Sequence, residues 1–248
     1  HNTEGLWNNT IDFVYAADCW IFGIESDIAY KHHIGVNAST SIEIKGNYFH
    51  HASDYGEGGI GYGVLLENHT TNCLIEDNIF SNLRHSMIVQ TAANRNVFGY
   101  NYSYDREWET WTAFPYIGTG DISVHANYPY ANLFEGNKVA LIWADDAHST
   151  MNGPYNTFFR NDVAANIIYL NQAHYSNAVG NYVYEVDTDG GPIYPILGQG
   201  FSSNNVLDNG AKQYNPNGQI YNYTHADFFA LGFLAQANSL CMDFSYYY

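Results

Sequence analysis

Short alternating runs of apolar and polar residues recur along the chain, and an asparagine closes each of them. The segment NLFEGN at 132–137 returns as NTFFRN at 156–161 and occurs earlier as NVFGYN at 96–101. The runs are rich in β-branched and aromatic residues and are interrupted by Gly, Asn and Asp, which is typical of strands. Internal repeats of about 20 to 50 residues indicate solenoids, propellers or arrays. The pattern therefore predicts a parallel β-helix.

The closing asparagines recur every 20 to 36 residues, so the repeat unit is about two dozen residues with insertions of variable length. In a parallel β-helix, equivalent residues of successive coils lie about 4.8 Å apart. We therefore expect an inward stack of Phe98, Phe134 and Phe158, continued by Ile44 and Ile75. Asparagine tolerates left-handed backbone and can bond to identical neighbours, which predicts a ladder of side-chain amides at the bends. The predicted ladder residues are Asn47, Asn78, Asn101, Asn137, Asn161, Asn181 and Asn209.

The pattern predicts one all-β solenoid of about seven or eight coils over residues 1–224. Its first strand begins near residue 10, with no capping element before it, although the terminal coil of a solenoid normally needs a cap. Residues 225–248 form a short C-terminal segment, helical or extended, that caps the solenoid or docks on another molecule. Five of its apolar residues are candidates for an assembly contact: Phe228, Phe229, Leu231, Phe233 and Leu234.

Two long excursions interrupt the predicted coils. Residues 104–130 contain many aromatic and acidic residues and are expected to leave the solenoid wall as a loop. Residues 54–63, DYGEGGIGYG, form a glycine-rich bend without the lysine and following helix that a phosphate-binding loop requires.

Charged residues make up only 13% of the chain, about half the usual share, and the net charge is −17. This balance excludes nucleic acid and anionic membranes as expected partners, and it disfavours polyanionic glycans. No apolar run is long enough to insert in a membrane. Together with the repetitive β pattern, the composition predicts a secreted or cell-surface protein.

Cysteines and glycosylation sequons add little constraint. Cys19 and Cys73 share a register position with Ile42 between them, so we expect buried free thiols and no disulfide bond. Asn101 lies in a sequon but belongs to the predicted ladder, and we expect it to be unmodified. The remaining sequons are candidate glycosylation sites: Asn8, Asn37, Asn68 and Asn222.

Four segments between Trp20 and Val186 are specific enough to compare with known proteins: DYGEGGIGYGV, CLIEDNIFSNLRHSMIVQ, NVFGYNYSYD and DDAHSTMNGPYNTFFRN. This part of the chain resembles the right-handed parallel β-helix proteins of the pectate-lyase-like superfamily, and in particular secreted bacterial members of poorly defined activity. The resemblance implies a right-handed helix. It implies activity only weakly, because the superfamily contains lyases, hydrolases, esterases and spikes without known turnover. The calcium-binding acids and catalytic arginine of pectate lyases have no clear counterpart here; Arg84 is the arginine in the most suggestive setting.

The segment WADDAHS provides candidate catalytic residues in Asp145, Asp146 and His148, which resemble the clustered aspartates and histidine of inverting hydrolases with this fold. Strand alternation sends the two aspartates to opposite faces, so one of them would work with a carboxylate from another coil, such as Asp121 or Asp105. The alternative is that these acids lie in solvated bends.

Exposed aromatic residues could stack on sugar rings or on another copy of the protein. The candidates are Trp108, Trp111, Tyr116, Tyr128 and Tyr130. The histidine pairs 32–33 and 50–51 could share a metal ion, but core or surface histidines are the more common case, so we expect no metal and no cofactor.

Two functions follow from these patterns. The first is an extracellular structural subunit that binds copies of itself end to end. The alternative is a secreted hydrolase or lyase of a neutral polysaccharide, acting through the Asp/His segment.

Overall fold

The computed structural model describes residues 9–56, 59–107, 120–125, 127–145, 151–171, 173 and 176–187, together with short strands between residues 201 and 221. Within these residues the chain is all-β and contains no helix. No helix in this part is therefore long and apolar enough to cross a bilayer.

The described residues form 23 strands. Their bounds are β1 Ile11–Val14, β2 Ala17–Phe22, β3 Glu25–Ala29, β4 His32–Asn37, β5 Thr40–Lys45, β6 Tyr48–Ala52, β7 Tyr62–Glu67, β8 Leu74–Glu76, β9 Ile79–Ser81, β10 His85–Gln90, β11 Val97–Gly99, β12 Tyr102–Tyr104, β13 Ile122–His125, β14 Leu133–Glu135, β15 Ile142–Asp145, β16 Thr157–Phe159, β17 Asp162–Leu170, β18 Asn177–Val179, β19 Tyr182–Asp187, β20 Phe201–Ser203, β21 Val206–Leu207, β22 Gln213–Tyr214 and β23 Ile220–Tyr221.

From β1 to β21, strands that are neighbours in sequence belong to different sheets, and each pairs in parallel with its equivalent in an adjacent repeat. The first sheet has nine strands in the order β1-β4-β7-β10-β13-β15-β17-β19-β21, and the second has eight in the order β2-β5-β8-β11-β14-β16-β18-β20. A third sheet has the order β12-β9-β6-β3, and β22 and β23 form an antiparallel pair. Long parallel sheets with this recurrence are consistent with the predicted parallel β-solenoid.

The core is made of side chains that stack on their equivalents in adjacent repeats. Phe98, Phe134 and Phe158 pair in register, and the ring centroids of successive phenylalanines are 5.1 Å apart. Ile44 pairs with Ile75, which pairs with Phe98. All five side chains are fully buried, so the predicted inward stack is confirmed.

Asparagine amides form a continuous buried ladder at the bend that follows the second sheet. In the first five described ladder residues, the side-chain Nδ2 donates to Oδ1 of the ladder asparagine in the next repeat at 2.9–3.0 Å. The same Nδ2 donates to a main-chain carbonyl of the previous repeat, for example from Asn137 to Phe98 at 2.8 Å. Each Oδ1 also accepts from a main-chain N–H, so the buried amides are well satisfied. The described members are Asn47, Asn78, Asn101, Asn137, Asn161 and Asn181.

A second ladder lies at the bend that precedes the second sheet. Asn96 Nδ2 donates to Asn132 Oδ1, and Asn132 Nδ2 donates to Asn156 Oδ1, both at 3.0 Å. These are the opening asparagines of the repeated segment, and all three are buried. Each repeat of this part of the chain is therefore fixed by amides at both ends of its second-sheet strand.

The predicted loop at residues 104–130 is interrupted by a strand. Residues 122–125 form β13, which pairs with β10 and β15 in the middle of the first sheet. The expectation that the whole segment leaves the wall is therefore wrong. The sequence pattern did not reveal this strand because it has only four residues and lies in a segment rich in aromatic residues.

The cysteines show the expected register, with a difference in burial. Cys19 pairs with Ile42. Glu43, which follows Ile42, pairs with Leu74, which follows Cys73, so Cys73 occupies the same register position in the next repeat. Both thiols are free. Cys73 is buried, and burial raises the pKa of its thiol to about 11. Cys19 is only half-buried, in contrast to the expectation.

Candidate functional site

A row of polar side chains crosses the outer face of the first sheet at one register position. Asn37 pairs with Glu67, and His125 pairs with both Gln90 and Asp145. Asn37 Nδ2 and Gln90 Nε2 donate to the two oxygens of the Glu67 carboxylate at 3.1 and 2.9 Å. Strand alternation places all five side chains on the face opposite the core. The row therefore offers donors and acceptors along a line perpendicular to the strands.

The row ends in a close histidine–carboxylate pair. His125 Nδ1 lies 2.8 Å from Asp145 Oδ2, and Ser123 Oγ donates to the same oxygen at 3.3 Å. The His125 side chain is 21% exposed and that of Asp145 only 7%. Asn152 Nδ2 donates to the Asp145 main-chain oxygen at 2.7 Å, which helps to hold this strand end in place. An imidazole oriented by a carboxylate can act as a general base.

A buried aromatic column lies at the opposite end of three of these strands, where β4, β7 and β10 begin. The ring of His32 stacks on Tyr62 at 4.7 Å, and the edge of His85 meets Tyr62 at 4.9 Å. His85 Nδ1 donates to the carbonyl of Gly120 at 2.7 Å. Burial lowers the pKa of His32 and that of His85 to about 3, and the charges of the adjacent Lys31 and Arg84 act in the same direction. Both imidazoles are therefore neutral at pH 7.

Asp121, one of the carboxylates considered as a partner for Asp145, has a structural role instead. It is fully buried, and its oxygens accept from Ser103 Oγ at 2.6 Å and from the main-chain N–H groups of Ala140 and Leu141 at 3.0 and 2.9 Å. Arg106 Nη1 lies 3.8 Å away. These partners occupy the carboxylate, so it is not available to a substrate. Asp105 is exposed at the end of β12 in the third sheet.

Of the predicted catalytic residues, the structure describes two. Asp145 is buried on β15 and paired with His125, which excludes the alternative of a solvated bend for this residue. Arg84 donates through Nη1 to the carbonyl of Gly56, and its guanidinium lies 6.0 Å from the Tyr62 ring centroid. Asp146 and His148 lie outside the described residues.

The predicted carbohydrate-stacking residues are only partly described. Tyr128 is about half exposed, and its ring centroid lies 6.2 Å from that of the half-buried Tyr130. Trp108, Trp111 and Tyr116 lie outside the described residues.

The candidate glycosylation sites differ in their surroundings. Asn37 is half-buried and donates its amide to Glu67, while Asn68 is half-buried in the turn that follows β7. Asn101 is buried within the ladder. Asn8 and Asn222 lie outside the described residues, as do Asn209 and the assembly candidates between 225 and 248.

The first repeat, Ile11–Ala29, forms an open end of the described sheets. Its strands β1, β2 and β3 each have one described partner, in the second repeat. Trp20 and Phe22 are 73% and 70% exposed, and Val14, Tyr15 and Ile28 are also exposed. Its inward side chains are only partly buried, whereas their equivalents in the second repeat are fully buried. The partly buried inward residues are Ile11, Phe13, Cys19, Ile21 and Ile24.

Sequence reasoning did not identify His125 as a candidate. The signal was present in the alternation of Ser123, Val124 and His125, which places the serine and the histidine on one face. This alternation is not recognised from sequence because it lies within residues 104–130, which are predicted to form a loop. The partnership with Asp145 depends on the pairing of β13 with β15 and cannot be read from the spacing of 20 residues alone.

Comparisons with protein-family models, curated proteins and solved structures found no match to the chain.

Proposed function

We propose that the chain forms one right-handed parallel β-helix of seven or eight coils, similar to the pectate-lyase-like superfamily, over residues 1–224. This proposal is supported by the sheet topology, in which equivalent strands of successive repeats lie side by side in the same sheet. The handedness follows from the strong general preference for right-handed crossovers between parallel strands. Residues 225–248 are a separate docking segment in this proposal.

The function that we propose is that of an extracellular structural subunit, which associates end to end with copies of itself. The observation that carries this proposal is the first repeat, where Trp20 and Phe22 are exposed and the inward side chains are only partly buried. Large exposed apolar side chains are typical of protein–protein contacts when several occur close together in one repeat.

The proposed occupant of this surface is the segment 225–248 of a second copy. Its large apolar side chains give this short stretch more apolar surface than it can bury by itself. Each such side chain contributes about 1.5 to 3 kcal/mol when it is removed from water, before the cost of ordering. A contact between different surfaces of identical subunits is heterologous, and it continues as a filament if the rotation does not close.

Light scattering coupled to size-exclusion chromatography tests the proposal. The intact chain is expected to form long assemblies at micromolar concentration, whereas deletion of residues 225–248 yields folded monomers. The double variant Trp20→Glu, Phe22→Glu should also be monomeric, because both side chains are exposed on the proposed contact and lie outside the buried core. Met151→Glu is the matched control, since it changes an exposed apolar side chain elsewhere and should leave assembly intact.

A monomeric intact chain at high concentration contradicts the proposal. Assembly of the Trp20/Phe22 double variant at the wild-type level does so as well, because the first repeat would then not be the contact.

The polar row on the first sheet favours a second candidate, a secreted enzyme that cleaves a neutral polysaccharide. In this proposal His125 is the general base, Asp145 orients its imidazole, and Asn37, Glu67 and Gln90 bind hydroxyl groups of the sugar. The exposed Tyr128 is available for stacking on a sugar ring.

Release of reducing ends from a panel of neutral polysaccharides tests this second candidate. His125→Gln should abolish cleavage while the circular dichroism spectrum remains unchanged, because His125 is partly exposed. His69→Gln, at an exposed histidine in the turn after β7, is the control and should retain activity. No cleavage of any polysaccharide by the folded intact chain contradicts the candidate.

A further inference from the structure

Three side chains on the outer surface of the third sheet converge on one point. Asp27 Oδ1 lies 3.1 Å from His50 Nδ1 and 3.0 Å from His51 Nδ1, and the two Nδ1 atoms are 2.9 Å apart. These atoms therefore form a nearly equilateral triangle. The side chains of Asp27 and His51 are each 50% exposed, so solvent ions can reach the cluster.

The backbone places these groups together without help from a flexible loop. Asp27 on β3 pairs directly with His50 on β6. Consecutive strand residues normally point to opposite faces. His51 instead has a φ of +56°, in the left-handed region, which turns its imidazole towards that of His50. Ile28, across the same bend, has the same φ.

The hydrogen bonds define which nitrogen of His50 carries the proton. His50 Nε2 lies 3.0 Å from Glu25 Oε1, and a carboxylate only accepts, so Nε2 carries hydrogen in this contact. In the neutral imidazole, Nδ1 then presents a lone pair towards Asp27 Oδ1 at 3.1 Å, which is also an acceptor. These two acceptors repel each other unless a hydrogen on His51 Nδ1, which lies 2.9 Å from His50 Nδ1 and 3.0 Å from Asp27 Oδ1, or a bound cation lies between them.

The cluster is supported from behind by packing and hydrogen bonds. The His50 ring stacks on Tyr48 with centroids 4.2 Å apart. His33 Nε2 donates to the main-chain oxygen of His51 at 2.9 Å, and Ser26 Oγ bonds to Nδ1 of the same imidazole at 2.8 Å. Both His33 and Ser26 are buried. The main chain of His51 is therefore held in position before any ligand binds.

We propose that Asp27, His50 and His51 bind a divalent first-row transition-metal ion, with Glu25 orienting His50 as an outer-shell carboxylate. Two imidazole nitrogens favour zinc, iron, nickel or copper over magnesium and calcium, which prefer oxygen ligands. Metal bonds of about 2.1 Å to atoms about 3 Å apart give ligand–metal–ligand angles of about 90°. Three ligands at these angles occupy one face of an octahedron, and the opposite face remains open to water or another ligand.

Isothermal titration of the untagged, chelator-treated full chain tests the site with zinc, nickel and cobalt chlorides. One equivalent of each is expected to bind, whereas calcium and magnesium chlorides produce no saturable signal. Bound cobalt should show the weak visible absorption of six-coordinate geometry rather than the intense bands of a tetrahedral site. These readouts do not depend on any activity or assembly of the protein.

Substitutions test whether the bound metal ion is held by this cluster. Asp27→Asn, His50→Gln and His51→Ala are each expected to weaken binding at least about 100-fold, and Glu25→Gln about tenfold. His69→Ala removes an exposed histidine outside the cluster and should retain the full equivalent. Circular dichroism of the metal-free variants confirms that they are folded.

Two results would overturn the inference. One is the absence of saturable binding of zinc, nickel and cobalt by the folded wild-type chain. The other is wild-type affinity in the folded Asp27→Asn, His50→Gln and His51→Ala variants, because the ion would then be held by other residues.

Discussion

A single asparagine of the ladder connects three repeats of the chain. Asn137 Nδ2 donates to Asn161 Oδ1 and to the carbonyl of Phe98, while its Oδ1 accepts from Asn101 Nδ2 and from the Asn101 main-chain N–H. Because Asn137 is fully buried, water cannot replace these partners if the amide is removed. The stability of the bends should therefore depend on individual amides.

We expect Asn137→Ala to lower the free energy of unfolding by about 1 to 3 kcal/mol, since it leaves buried donors and acceptors unpaired. Asn137→Asp should be at least as damaging, because a carboxylate oxygen would then face the acceptors of Asn161 and Phe98. Urea unfolding followed by tryptophan fluorescence measures both effects.

The matched control is Asn177→Ala. Asn177 lies on a second-sheet strand, is half-buried and donates one bond to Thr157 Oγ1 at 3.2 Å. Its loss should cost less than about 0.5 kcal/mol, as is usual for substitutions near the surface. Equal, small effects at positions 137 and 177 would contradict a stabilising role of the ladder.

At the scale of elements, periodicity predicted the second sheet well and the first sheet poorly. The fixed offset from Asn96 to Asn101 was enough to place Phe98 in the core, because β11, β14 and β16 all follow the same short pattern. Strand β10 is buried at five successive positions and shows no alternation that marks an outer face. The His125–Asp145 pair and the left-handed bend at His51 depend on register and backbone angles, which one sequence does not determine.

The column that joins β4, β7 and β10 makes stability depend on pH. The pKa values of His32 and His85, about 3 in the folded chain, lie below the ordinary value of 6.5 that applies when the chain unfolds. The unfolded chain therefore binds more protons between these values, and stability falls as pH decreases. The contribution is fully present above pH 6.5 and is lost progressively towards pH 3.

Each of these histidines should contribute about 1.4 kcal/mol per pH unit to the decrease in the free energy of unfolding between pH 6 and 4.5. His32→Gln and His85→Gln should each reduce this slope by that amount, whatever their stability at pH 8. Urea titrations at several pH values of chelator-treated protein measure the slope. His69→Gln should not change it, because that histidine is exposed; an unaltered slope in both column variants would show that neither is neutral in the folded chain.

At the scale of the whole molecule, the proposed assembly must overcome electrostatic repulsion. Every copy carries a net charge of −17, with eight lysine and arginine residues against 25 acidic residues. Repulsion between such copies extends over about 30 Å at 10 mM ionic strength and over about 10 Å at 100 mM. The apolar contact proposed for the first repeat and residues 225–248 is not weakened by moderate salt, so screening should favour association.

We therefore expect the assemblies of the intact chain to become longer, and to form at lower protein concentration, when sodium chloride is raised from 20 to 300 mM. Sedimentation velocity at several protein concentrations measures this change. The chain without residues 225–248 should remain monomeric at both salt concentrations, which separates a specific contact from precipitation by salt. Dissociation of the assemblies at 300 mM would mean that ion pairs hold the copies together, and this would contradict an apolar contact because screening weakens attraction between charges and leaves apolar burial in place.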